Sequence, residues 1–347
     1  MPRTTRTLFF LLIAFLAAQP VSTQAQPTIF DEMYGSEVLE ITLITDIQQF
    51  IANKNTKTYQ PARITFTGRV GEEQVWDIRL RPRGRYRRRI CDFPPIKIKY
   101  AKKEIKQAGY AGHNDLKLVT HCLSDPLGDE LVMREHLVYL LYRELSPYAF
   151  RTQLVHITYI DNQGGAPFVR YGILLEDEDE LAERYRMKVC DECYGYQEED
   201  FQGQAKKINQ LFQYLIGNAD WSLSMQRNIK ILQREEDQQN DLLFVPYDFD
   251  FSEMVNAPYQ IEEPIAFPEL SGADQAVVQH FYRHREGLQQ LVNNYQLLDD
   301  KARRQCLKRI EKFYRKLQKA IPPAEQPASL YSSRSGKAAP ASGTSPY

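Results

Sequence analysis

Two short stretches place acidic side chains where phosphate chemistry would use them. "VPYDFDFS" (245–252) ends an apolar run in Asp248 and Asp250, and "IGNADWS" (216–222) puts Asp220 just past a helical pattern. Asn228 opens "NIKIL" between them. A loop aspartate, an asparagine, a hairpin and an aspartate on its second strand follow the order of a phosphoryl-transfer site of the protein-kinase type. In that chemistry Asp220 accepts or orients the proton of the acceptor hydroxyl. Asn228 and Asp248 hold magnesium, with Asp250 as the alternative ligand. Magnesium takes oxygen ligands and keeps several waters, so two side chains suffice. The plainer alternative is structural, with "NAD" closing a helix and Asp-x-Asp forming a turn.

Such a site also needs a strand lysine on the nucleotide phosphates and a helix glutamate that holds the lysine. Lys97 and Lys99 in "PPIKIKY" share one face of a strand, and Glu135 lies in the helical run that follows; either lysine fits. "RLRPRGRYRRR" (79–89) carries seven arginines, with Arg79, Arg81, Arg83 and Arg85 alternating around Gly84. A basic strand of this kind can cover phosphates, which assigns Arg85 to nucleotide, or it can meet an acidic surface. With Tyr86 as the lone interleaved aromatic and an acidic chain overall, nucleic acid is not expected. The acidic run "EDEDELAER" (176–184) ends a strand and opens a helix. It reads as a solvated helix start or as a hinge between the lobes, and Glu176 is assigned to the nucleotide.

The elements that must position these residues are legible as patterns. Residues 1–25 read as a secretory signal peptide. Arg3 and Arg6 precede "LFFLLIAFLAA", too short to span a bilayer, and small residues end at Ala25. Its removal takes the formal charge from -1 to about -3. The mature chain is then expected to be exported, periplasmic or extracellular, with no membrane span. Residues 26–175 read as a β-rich lobe of five or so strands with one main helix, "DELVMREHLVYLLYREL", packed on it. Residues 176–320 read as a larger, mainly helical lobe with the catalytic hairpin and three helices after residue 273. Residues 321–347 form a Pro, Ala and Ser tail without the apolar content to order itself. The fold class expected is α+β.

Export makes disulfides permissible for Cys91, Cys122, Cys190, Cys193 and Cys306. "CDEC" (190–193) lacks the second ligand pair that zinc requires, so a disulfide is expected, either within it or as Cys91 to Cys122. Both of the latter flank core segments, so they are expected to be bridged, and Cys306 is expected to be the free thiol.

The stretches "IRLRPRGRYRR", "CDFPPIKIKY", "LKLVTHC", "REHLVYLLYRELSPYAFR", "YGILLEDEDELAER", "LFQYLIGNADWS", "NIKIL", "VPYDFD" and "VNAPY" together resemble the CotH family, spore-coat and related kinases with an atypical protein-kinase fold. The likeness runs from about residue 38 to 262 and is closest to exported bacterial members. It implies a two-lobe kinase-like fold and transfer of phosphate from ATP, with Mg2+ or Mn2+, to serine of secreted or surface proteins. By motif it implies Asp220 as base, Asn228 and Asp248 on the metal, and Lys97 or Lys99 with Glu135 in the upstream half. One departure stands out: Asp220 and Asn228 are eight residues apart, a longer step than the kinase catalytic loop takes. A catalytically inactive scaffold of the cell envelope and a metal-dependent phosphoester hydrolase remain the alternatives.

Overall fold

The structure is a computed structural model that describes residues 26–195, 203–234, 242–260, 265–270 and 274–321. The leader and residues 322–347 lie outside the described residues.

Alternation of apolar and polar residues gives seven strands, more than the five or so expected: β1 Leu39–Thr45, β2 Gln60–Thr67, β3 Glu73–Pro82, β4 Ile96–Tyr100, β5 Asp115–Val119, β6 Thr152–Asp161 and β7 Phe168–Leu175. They close into a barrel in the order β1-β2-β3-β4-β5-β7-β6. Every pairing is antiparallel except β1 with β6, which is parallel and closes the ring. Inward residues such as Leu43, Ile64, Leu80, Ile98, Leu118 and Ile157 fill the interior. α1 (Ile29–Met33) adds Ile29 and Phe30 to the same core. The period of two then leaves the charged members of β3, β4 and β5 on the outer wall. Short helices α2 (Ile47–Ala52), α3 (Arg87–Ile90) and α4 (Lys102–Gln107) join the strands.

Between β5 and β6 runs α5 (Pro126–Leu145), started by Asp125, whose side chain accepts from Leu127 N, with Pro126 in the first turn. Gly128 is required there, because a Cβ would stand 2.2 Å from the Leu123 carbonyl oxygen. This helix does not belong to the barrel alone, as the sequence suggested. Its Leu137, Val138 and Tyr142 enter a second core with helices α7 (Gln204–Ile216), α8 (Gln275–Asn294) and α9 (Asp300–Ala320). Leu154 and Ile173 of the barrel wall join that core, so α5 ties the barrel to the helices. Past residue 273 the described residues form two long helices rather than three. α6 (Glu178–Arg184) and β8 (Lys188–Val189) follow the barrel. β8 pairs with the hairpin β9 (Ile229–Gln233) and β10 (Leu243–Pro246) in a small sheet ordered β10-β9-β8. The chain is mixed α+β.

Both candidate disulfides are formed, Cys91–Cys122 and Cys190–Cys193, and Cys306 is free and buried. The pairing is compatible with an oxidising compartment. Among the described residues no helix is long and apolar enough to cross a membrane. Cys91 and Cys122 close a loop of 31 residues, so replacing both by Ser should cost about 3–4 kcal/mol through loop entropy. Denaturant titration of the variant checks this; an unchanged midpoint would contradict it.

Candidate functional site

The small sheet and the loop before it gather the candidate acids. α7 ends at Gly217, which takes the left-handed conformation at φ 72°. Buried Asn218 then accepts the Asp220 backbone N–H at 3.0 Å. The eight-residue step to Asn228 is taken up by a tight turn, in which Ser222 and Arg227 exchange backbone hydrogen bonds of 3.0 and 2.9 Å. Asn228 therefore returns to Asp220, and its Nδ2 donates to the Asp220 carbonyl at 2.6 Å and carboxylate at 2.9 Å. The other carboxylate oxygen faces Arg227 Nε at 3.2 Å. On the facing strand end, Tyr247 N donates to Asn228 O at 3.1 Å. Asn228 and Asp248 both hold positive φ, 55° and 62°, an uncommon conformation that turns their side chains away from the strand pattern. The Asp248 N–H donates to the Tyr139 hydroxyl of α5 at 2.9 Å.

Arg87 of α3 lies at the centre of a buried cluster. Its guanidinium stands 3.5 Å from Asp250, 3.7 Å from Glu135 and 3.9 Å from Asp248, and donates to Thr120 O at 3.2 Å. Burial lowers the tendency of Arg87 to stay charged, but Asp250, Tyr259, Glu135 and Asp248 outweigh it and raise its pKa. Three carboxylates exceed what one cation can neutralise. Burial pushes the Glu135 carboxyl up to about 7 although Arg87 opposes it. Asp250 rises well above the carboxylate range through burial, again against Arg87, with Asp248 and Glu135 adding to the rise. Asp248 differs, with its side chain 32% exposed against 2% for Asp250.

The donor set suits a hard cation. Asp248 offers a carboxylate open to solvent and Asn228 an amide oxygen, because its nitrogen is committed to Asp220. The cluster sets three carboxyl groups against one guanidinium; Glu135 Oε1 has no hydrogen-bond partner, and Arg87 Nε and Asp250 Oδ2 face each other at 3.5 Å without a hydrogen bond. No group of three or more His, Cys, Asp or Glu side chains among the described residues could hold a metal unaided. A cation here would therefore draw on water or phosphate oxygens as well.

The lysines correct the expectation. Lys97 and Lys99 pair with Asp115 at 2.8 and 3.6 Å, and the cation on Glu135 is Arg87. A third lysine, Lys117, lies on β5, the strand directly before α5 and beside β7, and its Nζ stands 5.8 Å from the centre of the ring of Tyr247, the residue before Asp248 in sequence. The signal was present in "LKLV", an alternating run immediately ahead of the glutamate helix. Burial lowers the Lys117 pKa, against the pull of Glu178. Arg87 had no signal that set it apart within a seven-arginine run.

The acidic run is a solvated helix start only in part, with Asp177 capping α6 and Asp179 and Glu183 exposed, and Glu176 is not open to a nucleotide. Glu176 is fully buried and clamped by Arg151 at 2.9 Å and Arg184 at 2.6 Å. Glu180 takes Thr28 at 2.8 Å and Arg151 at 2.5 Å. Glu178 holds Lys117 of the barrel at 2.7 Å and Lys230 of the hairpin at 2.8 Å, bridging the two sheets. Arg85 is exposed on the turn after β3. Beside this bridge, a cleft of about 580 Å³ is lined by Asp115, Asp177, Ala182, Met187 and Val189 among others.

No protein-family model matches the chain, and no curated protein matches it. Among solved structures it has a weak likeness to a Helicobacter pylori proinflammatory kinase CtkA. The identity is 10% and the TM-score 0.37, over 65% of this chain and 90% of that chain.

The Glu178 bridge yields a pH test. Burial would raise this carboxyl, but Lys117 and Lys230 outweigh burial and hold it at about 2, below its ordinary 4.5. A lowered folded pKa adds stability that is present above the ordinary value and lost as pH falls towards the folded one. The melting temperature of Glu178→Gln should therefore lie below that of the wild type near neutrality, and the gap should close between pH 4.5 and about 2. A gap constant across that window would contradict the assignment.

Proposed function

We propose that the protein is a kinase-like phosphotransferase with a two-lobe arrangement, lobes 26–175 and 176–320. It would move the terminal phosphoryl of ATP to a serine hydroxyl of a secreted or surface protein, as the CotH resemblance implies. One observation carries the reading: Asp220, Asn228 and Asp248 converge at one end of the hairpin, with Lys117 on the barrel wall beside Tyr247.

In this reading Asp248 and Asn228 hold the divalent cation, Mg2+ or Mn2+. When bound, it neutralises charge on the transferred phosphates. Lys117, in place of Lys97 or Lys99, meets the phosphates, and Lys230 keeps Glu178 paired when Lys117 turns to them. Arg83 stands near enough to raise the positive potential around Glu135 and Tyr247. Asp220, fixed by Asn228 and Arg227, takes the proton as the acceptor oxygen attacks phosphorus; the P–O bond to the β-phosphate breaks and ADP leaves. Asp250 and Glu135 hold Arg87 in place rather than binding the cation or the nucleotide. The cleft at Asp177 and Met187 takes the base end of the nucleotide. Secretion fits the two disulfides.

Thermal-shift titration with ATP and Mg2+ or Mn2+, followed by phosphate transfer to a protein acceptor, tests the roles. Asp248→Ala should abolish the metal-dependent shift. Asp220→Ala should keep the shift and lose turnover by about 10²-fold or more. Lys117→Met should weaken nucleotide binding, whereas Lys97→Met should leave it unchanged. A wild-type protein that binds no nucleotide with either metal would overturn the reading in favour of an inactive scaffold. Release of phosphate to water without transfer would favour the hydrolase.

A further inference from the structure

The outer wall of the barrel next to the site carries an arginine face that the folded chain leaves unneutralised. Register places Arg79 opposite Lys99 and Arg81 opposite Lys97 on β3 and β4. The backbone positions of these four basic residues lie about 4.8 Å apart across strands and roughly 6.6 Å apart along them. Asp115 answers Lys97 and Lys99. No carboxylate among the described residues lies within 4.0 Å of Arg79, Arg81, Arg83 or Arg85. Elsewhere Arg63, Arg134, Arg151, Arg170 and Arg184 each hold an acid. The guanidinium groups of Arg79 and Arg81 stand 5.5 and 5.3 Å from the Tyr59 ring centre, which orients them without neutralising them. Arg83 continues the row towards Glu135 and Tyr247.

We propose that this face docks an acidic segment of the protein substrate, with Arg79 and Arg81 meeting carboxylates and Arg83 marking the end nearest Glu135 and Tyr247. The proposal rests on the phosphotransferase reading for the identity of the partner, while the binding itself does not. An extended segment presents alternate side chains at the same spacing as Arg79 and Arg81, so carboxylates at every second position meet successive arginines. A chain of net charge -1 gathers little positive potential overall, so a local row of unpaired arginines selects acidic partners by field as well as by contact. Substrates then differ by the acids beside the acceptor hydroxyl, a selection separate from the chemistry at Asp220 and Asp248.

The test is fluorescence anisotropy of a labelled peptide of alternating Glu and Ala against the mature chain, without nucleotide or metal, so its outcome is independent of whether Asp248→Ala loses nucleotide. Binding should be present at about 0.05 M salt and weaker at about 0.15 M, and absent for the matching Gln peptide. Arg79→Gln with Arg81→Gln should lower affinity by about tenfold at an unchanged melting temperature. Arg304→Gln with Lys308→Gln, the same charge change on exposed positions of α9, should leave affinity as it was. Equal affinity of the Arg79/Arg81 variant and the wild type, or no binding of the Glu peptide, overturns the proposal. Tighter binding of an oligonucleotide of equal charge also overturns it and assigns the face to nucleic acid.

Discussion

Three carboxyl groups crowd one guanidinium, with Glu135 and Asp250 buried beside it and Asp248 at the solvent edge, and the site is arranged around that imbalance. Arg87 comes from α3, Glu135 from α5, and Asp248 and Asp250 from the end of β10, so the cluster joins the barrel, the tying helix and the hairpin at one point. Loss of one partner in such a set leaves an uncompensated buried charge, which costs far more than a surface pair contributes. The cluster also sorts the two aspartates. Asp250 is held inside by Arg87, and Asp248, turned by its left-handed backbone, is the one that meets solvent.

The surroundings hold Arg87 in register. Cys91 lies one turn beyond it and is bridged to Cys122, two residues past the Thr120 carbonyl that accepts from Arg87. The backbone N–H of Asp92 donates to Cys122 O at 2.9 Å. The four-residue α3 has little stability of its own, so the covalent tie to the end of β5 fixes where its guanidinium stands. A second tie, Cys190–Cys193, lies beside the loop that carries Asp220 and Asn228, since Gln226 Nε2 donates to Cys190 O at 3.0 Å. Glu178 completes the frame by joining Lys117 on the barrel to Lys230 on the hairpin. The groups proposed for phosphate on one side and for the cation on the other are thereby held at a set separation.

Much of the site is legible in the sequence because its signals are local. The helix stop at Gly217, the loop aspartate, the hairpin flanking residues 235–241 and the paired aspartates of "YDFD" each follow from short-range backbone preference or period. The disulfide Cys91–Cys122 is legible for a similar reason: its partners sit at the ends of apolar segments that had to be core. The eight-residue step from Asp220 to Asn228 looks like a fault in the pattern. It is a small turn, closed by the Ser222 and Arg227 backbone bonds.

By itself the sequence determined the β-rich character of the first half, the main helix α5, the hairpin β9–β10 and the order of the acids along the chain, though not the full count of strands or late helices. Tertiary structure decided which charges meet. Alternation on β4 shows that Lys97 and Lys99 share a face, but only the register of β5 against β4 puts Asp115 beside them, and only packing of the hairpin against the barrel brings Tyr247 to Lys117. Periodicity in α5 shows a helix, but not that Glu135 would face an arginine nearly fifty residues earlier. Composition in "EDEDELAER" shows acids, but not that Glu176 and Glu180 would be buried against Arg151. Ion pairs form between residues far apart in sequence, and their partners depend on register and on packing between elements, neither of which a local pattern contains.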